Sequence, residues 1–142
     1  MKIVVGVDDS EMGEAAARRA IDLGKRLDAE VDVVFVSHIP STVLSAMAGV
    51  PTIAEDFATA QRDAVWQRMA LILEGTAARR VDLEGYPPDS LVAHAEATSA
   101  DLIVVGSRGR GSLASLLLGS TSHRVVNHAP CDVLVVRGEA GK

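Results

Sequence analysis

Cysteine and aromatic residues are scarce in this 142-residue chain, which holds one cysteine, one tryptophan, one tyrosine and two phenylalanines. A lone thiol, Cys131, excludes an intrachain disulfide framework, and its place before an apolar run favours packing over redox sensing. Long apolar runs are missing as well. None approaches the ~18 residues of a membrane span, and residues 3–7 are too few for a signal-peptide core and end in Asp8 and Asp9. The expectation is a cytoplasmic protein without membrane contact. Positive charge is in deficit, with 14 basic against 19 acidic side chains and a net charge of −5, which disfavours nucleic acid as a partner. What is present, 48% hydrophobic and 23% charged residues, suits one compact domain over residues 1–142.

The charge is unevenly placed. Residues 102–137 hold Arg108, Arg110, Arg124 and Arg137 against Asp132 alone, so this segment is locally +3 and the rest of the chain −8. An anionic ligand is expected there.

Short β-branched runs at residues 3–7 (IVVGV), 31–36 (VDVVFV), 102–105 (LIVV) and 133–136 (VLVV) are mostly continuous, as in strands buried on both faces of a parallel sheet. A weaker run at 81–83 supplies a fifth strand. Between them lie helical patterns. In residues 11–27, Ala16, Ala20, Leu23 and Leu27 form one stripe, with Asp9 or Ser10 as cap and Glu11 and Glu14 at the positive end of the dipole. A second helix is expected at about 55–79, with Val65, Met69 and Ile72 in the core and Trp66 and Phe57 packing. A third follows Pro87-Pro88-Asp89-Ser90, and a fourth runs from about Ser112 to His128, before Pro130. The alternation predicts a doubly wound open α/β sheet, whose ligands bind beyond the carboxyl ends of the strands. Residues 38–54 read as a long, mobile connection.

Residues 102–122 (LIVVGSRGRGSLASLLLGSTS) carry the chemistry. Four glycines, Gly106, Gly109, Gly111 and Gly119, fall within fourteen residues after a buried strand. A plain strand-to-helix turn accounts for one or two of them. Amides in such a loop can converge on phosphate oxygens, with Ser112, Ser120 and Thr121 adding hydroxyls. A Walker loop is excluded because Ser112 stands where its lysine should be. Residues 109–114 (GRGSLA) match the dinucleotide fingerprint, but that motif belongs to the first βα turn of a larger sheet.

A longer pattern fits without a gap. Gly106-x2-Gly109-x9-Gly119-Ser120 reproduces the G-x2-G-x9-G-[S/T] signature, and the chain resembles the nucleotide-binding branch of the universal stress protein family. KIVVGVDDSE resembles the family's first strand and turn, ADLIVVGSRGRG its fourth strand and loop, and LLGSTSHRVVNHAPCDVLVVR its last helix and strand. Residues 38–88 match least. The resemblance implies a flavodoxin-like or Rossmann-like strand order 3-2-1-4-5, a homodimer through the last strand, and ATP, with or without Mg²⁺, at the strand ends. By position, Asp8 and the backbone of Gly6 and Val7 would meet the adenosine, with Val36 near the adenine. Gly106, Arg108, Gly109, Arg110, Gly111 and Ser112 would wrap ribose and phosphates, and Gly119, Ser120, Thr121 and Ser122 would complete the cradle. Asp132 departs from the proline that many relatives carry after the cysteine, which leaves the dimer geometry open.

Each residue also has a plainer reading. Asp8 can accept from adenosine or only cap the helix. Arg108 and Arg110 can pair with phosphate or be solvated, and Arg124, four residues after Ser120, shares its helix face and can reach an anion. His38, His94, His123 and His128 lack partners at metal-ligand spacing. With no nucleophile elbow, Walker lysine or evident base, the expected function is a nucleotide-responsive stress protein without robust catalysis. The alternatives are a slow Mg²⁺-dependent ATPase, or a binder of AMP or cyclic AMP.

Overall fold

The computed structural model describes residues 1–39, 41–46, 51–108 and 118–138. Along the chain these form β1 (Lys2–Val7), α1 (Glu11–Leu27), β2 (Glu30–Ser37), α2 (Ser41–Ala46), α3 (Pro51–Leu73), β3 (Arg79–Glu84), α4 (Pro87–Ala97), β4 (Leu102–Gly106), α5 (Ser120–His128) and β5 (Asp132–Val136). The strands make one all-parallel sheet in the order β3-β2-β1-β4-β5. The continuous valine runs have the burial expected of them, because helices cover both faces. On one face, Ala16, Ala17 and Ala20 of α1 and Val65, Trp66 and Met69 of α3 pack on Ile3, Val5, Val7, Val33 and Phe35. On the other, Leu91 and Ala95 of α4 and Val125 of α5 pack on Val4, Val34, Val36, Ile103 and Val105. Each fully buried valine or isoleucine contributes roughly 1.5–3 kcal/mol.

Helix boundaries follow local chemistry. Ser10 caps α1, its Oγ accepting the Gly13 amide at 3.0 Å, and Asp28 closes the helix at φ 53° with its amide donating to the Gly24 carbonyl. Leu27 therefore sits at the helix end, 49% exposed, rather than in the core stripe. α3 stops at Leu73, short of the residue-79 end expected from its periodicity. The Thr76 amide and Oγ1 both donate to the Leu73 carbonyl, at 3.0 and 2.7 Å, and Gly75 turns the chain at φ 74°. That turn releases residues 79–84 to form a full β3 beside β2.

Three expectations need correction, the first being the fourth helix, which begins at Ser120 after the non-helical Leu118 and Gly119 rather than running unbroken from Ser112. The connection 38–54 is not a bare loop: it contains α2 and the first turn of α3, which opens on a proline whose fixed φ suits that position. Residues 40 and 47–50 of it lie outside the described residues. Phe57 is 42% exposed rather than packed. At ~1.5 Å per residue α3 is about 34 Å long, while β2 at ~3.3 Å per residue spans about 26 Å. Ile53 and Phe57, in the first turns of this longer element, are both exposed.

Candidate functional site

The carboxyl edge holds a cavity of about 580 Å³. Its walls include Gly6, Val7, Asp8, Val36, Gly106, Arg108, Gly119, Ser120, Thr121 and Ser122, the described site residues expected from sequence apart from Arg124. Gly109, Arg110, Gly111 and Ser112 lie outside the described residues. The cavity sits where chain order reverses, with β1 between β2 and β4. Crossovers leave in opposite directions from that point and open a crevice.

The walls change character across the sheet. At the β2 end they are apolar, formed by Val34, Phe35, Val36, Val65 and Leu91, with His38 and Pro87 beside them. Over β1 stand Asp8 and Asp9. At the β4 end come Gly106, Arg108 and the start of α5. Neighbouring strands lie ~4.8 Å apart, so the apolar and basic ends are roughly 10 Å from each other.

The acidic centre is held by its surroundings. Ser10 Oγ donates to Asp8 Oδ1 while accepting from Gly13, so one hydroxyl links the carboxylate to the helix start. Asp9 pairs with Arg68 at 2.8 Å, and Arg68 also binds Glu14 at 3.0 Å, tying α3 to α1. These carboxylates hold the Arg68 guanidinium above its ordinary pKa, against the effect of burial. Ser10 is thus the cap, and Asp8 is oriented by it rather than serving as the cap itself.

The donor end is built from backbone. The Ser107 amide donates to the Val136 carbonyl at 2.8 Å, and the Gly119 amide donates to the Ser107 carbonyl at 2.7 Å. Ser122, nearly buried, points its hydroxyl at the Ser107 and Gly119 carbonyls, 3.1 and 3.0 Å away. Its hydroxyl therefore braces the α5 start against the β4 loop instead of standing open to a ligand. The first amides of α5 have no intrahelical acceptor and form the positive end of its dipole beside Arg108. Such a terminus favours an anion.

Arg124 goes elsewhere. Its Nε donates to Asp89 at 2.6 Å and its guanidinium lies 5.8 Å from the Tyr86 ring, so it joins α5 to α4 and not to the cavity. The pairing holds Asp89 below its ordinary pKa. Burial first, then Asp132 and Asp101, push the Cys131 thiol up, which fits a packing role.

Sequence reading missed His38, Gln61, Gly13 and the apolar floor. His38 reaches the cavity because it directly follows β2, and its ring meets Tyr86 edge-on at 5.8 Å. Gln61 arrives from α3, whose register against the sheet no local pattern discloses.

A second cavity, about 550 Å³, opens at the amino edge around Lys2, Asp28, Glu30, Asp32 and Arg79. Asp32, 1% exposed, receives Arg79 at 3.1 and 2.8 Å, His94 Nε2 at 2.9 Å and Lys2 Nζ at 3.0 Å. Because a carboxylate only accepts, Nε2 carries the proton of that contact. His94 thus has a carboxylate partner 62 residues away in sequence. Burial raises the Asp32 pKa, but Arg79, His94 and Lys2 outweigh it and lower it from 3.8 to about 2. The cations there are already engaged, so the carboxyl edge is the better ligand site. Among the described residues no group of three or more His, Cys, Asp and Glu side chains is placed to hold a metal ion, and no helix is long and apolar enough to cross a membrane.

The sheet order, with a crevice at its switch point, defines an open, doubly wound, Rossmann-like α/β protein. The model of the universal stress protein family matches residues 1–137, and the chain belongs to that family. It is 32% identical over 145 residues to universal stress protein YxiE of Bacillus subtilis, covering 96% of this chain and 98% of that one. Among solved structures, universal stress protein UspA from Lactobacillus plantarum superposes with a TM-score of 0.79 at 27% identity, covering 96% of this chain and 97% of its own. A universal stress protein solved in complex with cAMP has a TM-score of 0.63 at 28% identity, with 96% of each chain covered.

Proposed function

We propose that this protein binds ATP at the carboxyl edge of its sheet and acts as a nucleotide-responsive regulatory protein rather than as an efficient enzyme. The observation that carries this reading is the polarity of the cavity, which runs from apolar over β2, through carboxylates over β1, to backbone donors and Arg108 beside β4 and α5. A nucleotide has the same order: a flat base, a sugar with hydroxyl donors, and an anionic tail. Val36 and its neighbours would flank the base. Asp8 would accept from the sugar or base edge. Gly106, Arg108 and the amides of Ser120 and Thr121 would hold phosphate beside Gly119, with Gly109, Arg110, Gly111 and Ser112 continuing the cradle and Mg²⁺ accompanying the phosphates.

Weak catalysis is expected from the same geometry. Asp8 is held by Ser10 and Asp9 by Arg68. His38 stands at the base end, roughly 10 Å by strand spacing from the phosphate end. It is out of reach of a water attacking there. Cyclic AMP is the competing ligand, favoured by the relative solved with cAMP.

Thermal shift with ATP, AMP and cyclic AMP, each with and without Mg²⁺, tests the reading. At a hundred times its dissociation constant a ligand stabilises by about 2.7 kcal/mol, a rise on the order of 10 °C at this chain length. ATP is expected to give the largest rise with little nucleotide turnover. No rise with any of them would remove the nucleotide reading, and a larger rise with cyclic AMP would replace ATP as the ligand.

A further inference from the structure

Gln61 lines the carboxyl-edge cavity, yet its buried Oε1 has no hydrogen-bond partner among the described residues. Buried carbonyl oxygens are seldom left without a donor, and an exception calls for an absent partner. Two facts say what that partner is. First, an oxygen acceptor needs an N–H or O–H, so a phosphate carrying its ordinary negative charge is unsuitable. Second, Gln61 stands on α3 one turn before Val65, which packs in the cluster containing Phe35 and Val7. It therefore overhangs the apolar β2 end, away from the α5 donors.

The base end of the cavity is thus apolar on its floor, at Val34, Phe35 and Val36, but polar on the α3 side, at Gln61. A hydrocarbon ligand would leave that polarity unmatched.

We propose that Gln61 selects the base, its carboxamide oxygen accepting from the exocyclic amino group of a purine seated between α3 and the ends of β1 and β2. The inference rests on the nucleotide reading of the cavity. Within it, Gln61 is a specificity residue: it discriminates between bases and leaves phosphate binding untouched.

The test compares ATP with the triphosphate of purine riboside, which lacks only the 6-amino group, by calorimetric titration of the full chain. The unsubstituted protein should favour ATP by about five- to tenfold, the effect of one buried hydrogen bond. Gln61→Leu should bring that ratio to about one, chiefly by weakening ATP. Gln61→Glu, which keeps an acceptor, should retain the preference, and circular dichroism checks the fold of both variants. Equal affinity in the unsubstituted protein, or an unchanged preference in Gln61→Leu, overturns the assignment while leaving the nucleotide reading in place. Absence of binding by either triphosphate overturns both.

Discussion

At Gly13 an added Cβ would stand 2.6 Å from the Asp8 carbonyl oxygen, 2.7 Å from Asp8 Oδ1 and 2.9 Å from the Asp8 nitrogen. All but one of those atoms are backbone, so the strand end itself would have to move. Gly13→Ala is expected to destabilise the fold by roughly 1–3 kcal/mol, as overpacking does. It should also weaken nucleotide binding by displacing the carboxylate that Ser10 orients. Urea unfolding and ligand titration on the same variant check the two effects, and an unaltered affinity would remove Asp8 from the site. This residue illustrates a limit of sequence reading. Asp8 is legible in the sequence because it ends an apolar strand, a local signal. Gly13 is not, because a glycine inside a helical pattern discloses nothing about which backbone passes beneath it. Gly106 was legible as part of a spaced glycine pattern, and the structure supplies a further reason for it, the Met12 carbonyl 3.2 Å from where its Cβ would lie.

Among the elements, β2 carries the feature with the clearest pH signature. Asp32 has a folded pKa of about 2 against an ordinary 3.8. Above the ordinary value the carboxylate is ionised in both states and its ion pairs contribute fully. Between the two values the unfolded chain takes up the proton first, so stability falls as the solution is acidified through that window. Asp32→Asn should lose on the order of 3 kcal/mol near neutral pH, since it strands Lys2 beside a buried amide. Its denaturation midpoint should also fall less steeply than that of the unsubstituted protein between about pH 4 and 2. Parallel slopes in urea titrations across that range would show that Asp32 is not the group responsible. Elements were legible in proportion to how continuous their apolar runs are. β1, β2, β4 and β5 stand out as valine-rich blocks. β3 is weaker because its residues RRVDLE alternate between half-buried and exposed positions. α2 has no buried residue and so no periodicity to read.

For the molecule as a whole, alternation predicts a doubly wound sheet and the resemblance implies its strand order, and the sheet has that order. The cavity at the switch point follows from it. Which helix overhangs the cavity does not, because α3 is longer than the sheet and its placement depends on contacts between Val65, Met69 and strands far away in sequence. β5 occupies one edge, pairing with β4, and Val133, Leu134 and Val135 are only half buried there. Such an edge invites a second strand. A homodimer through β5 is the assembly expected, with light scattering giving twice the 14.9 kDa chain mass. Val133→Glu combined with Val135→Glu should shift the protein toward the single-chain mass; an unchanged mass would place the interface elsewhere.

The two backbone hydrogen bonds at Ser107, one donated by its amide and one accepted by its carbonyl, then acquire a meaning beyond bracing a loop. One reaches Val136 on the edge strand and the other Gly119 at the start of α5, so a single residue joins the β5 edge of the sheet to the α5 end of the cavity. Whatever free energy the nucleotide gains from an ordered partner edge, the partner must gain from the nucleotide, because linkage is reciprocal. Adding ATP should therefore tighten the dimer, and diluting the protein into monomers should weaken its hold on ATP by the same factor. A chain that both pairs through β5 and binds nucleotide would measure two concentrations at once, its own and that of its ligand.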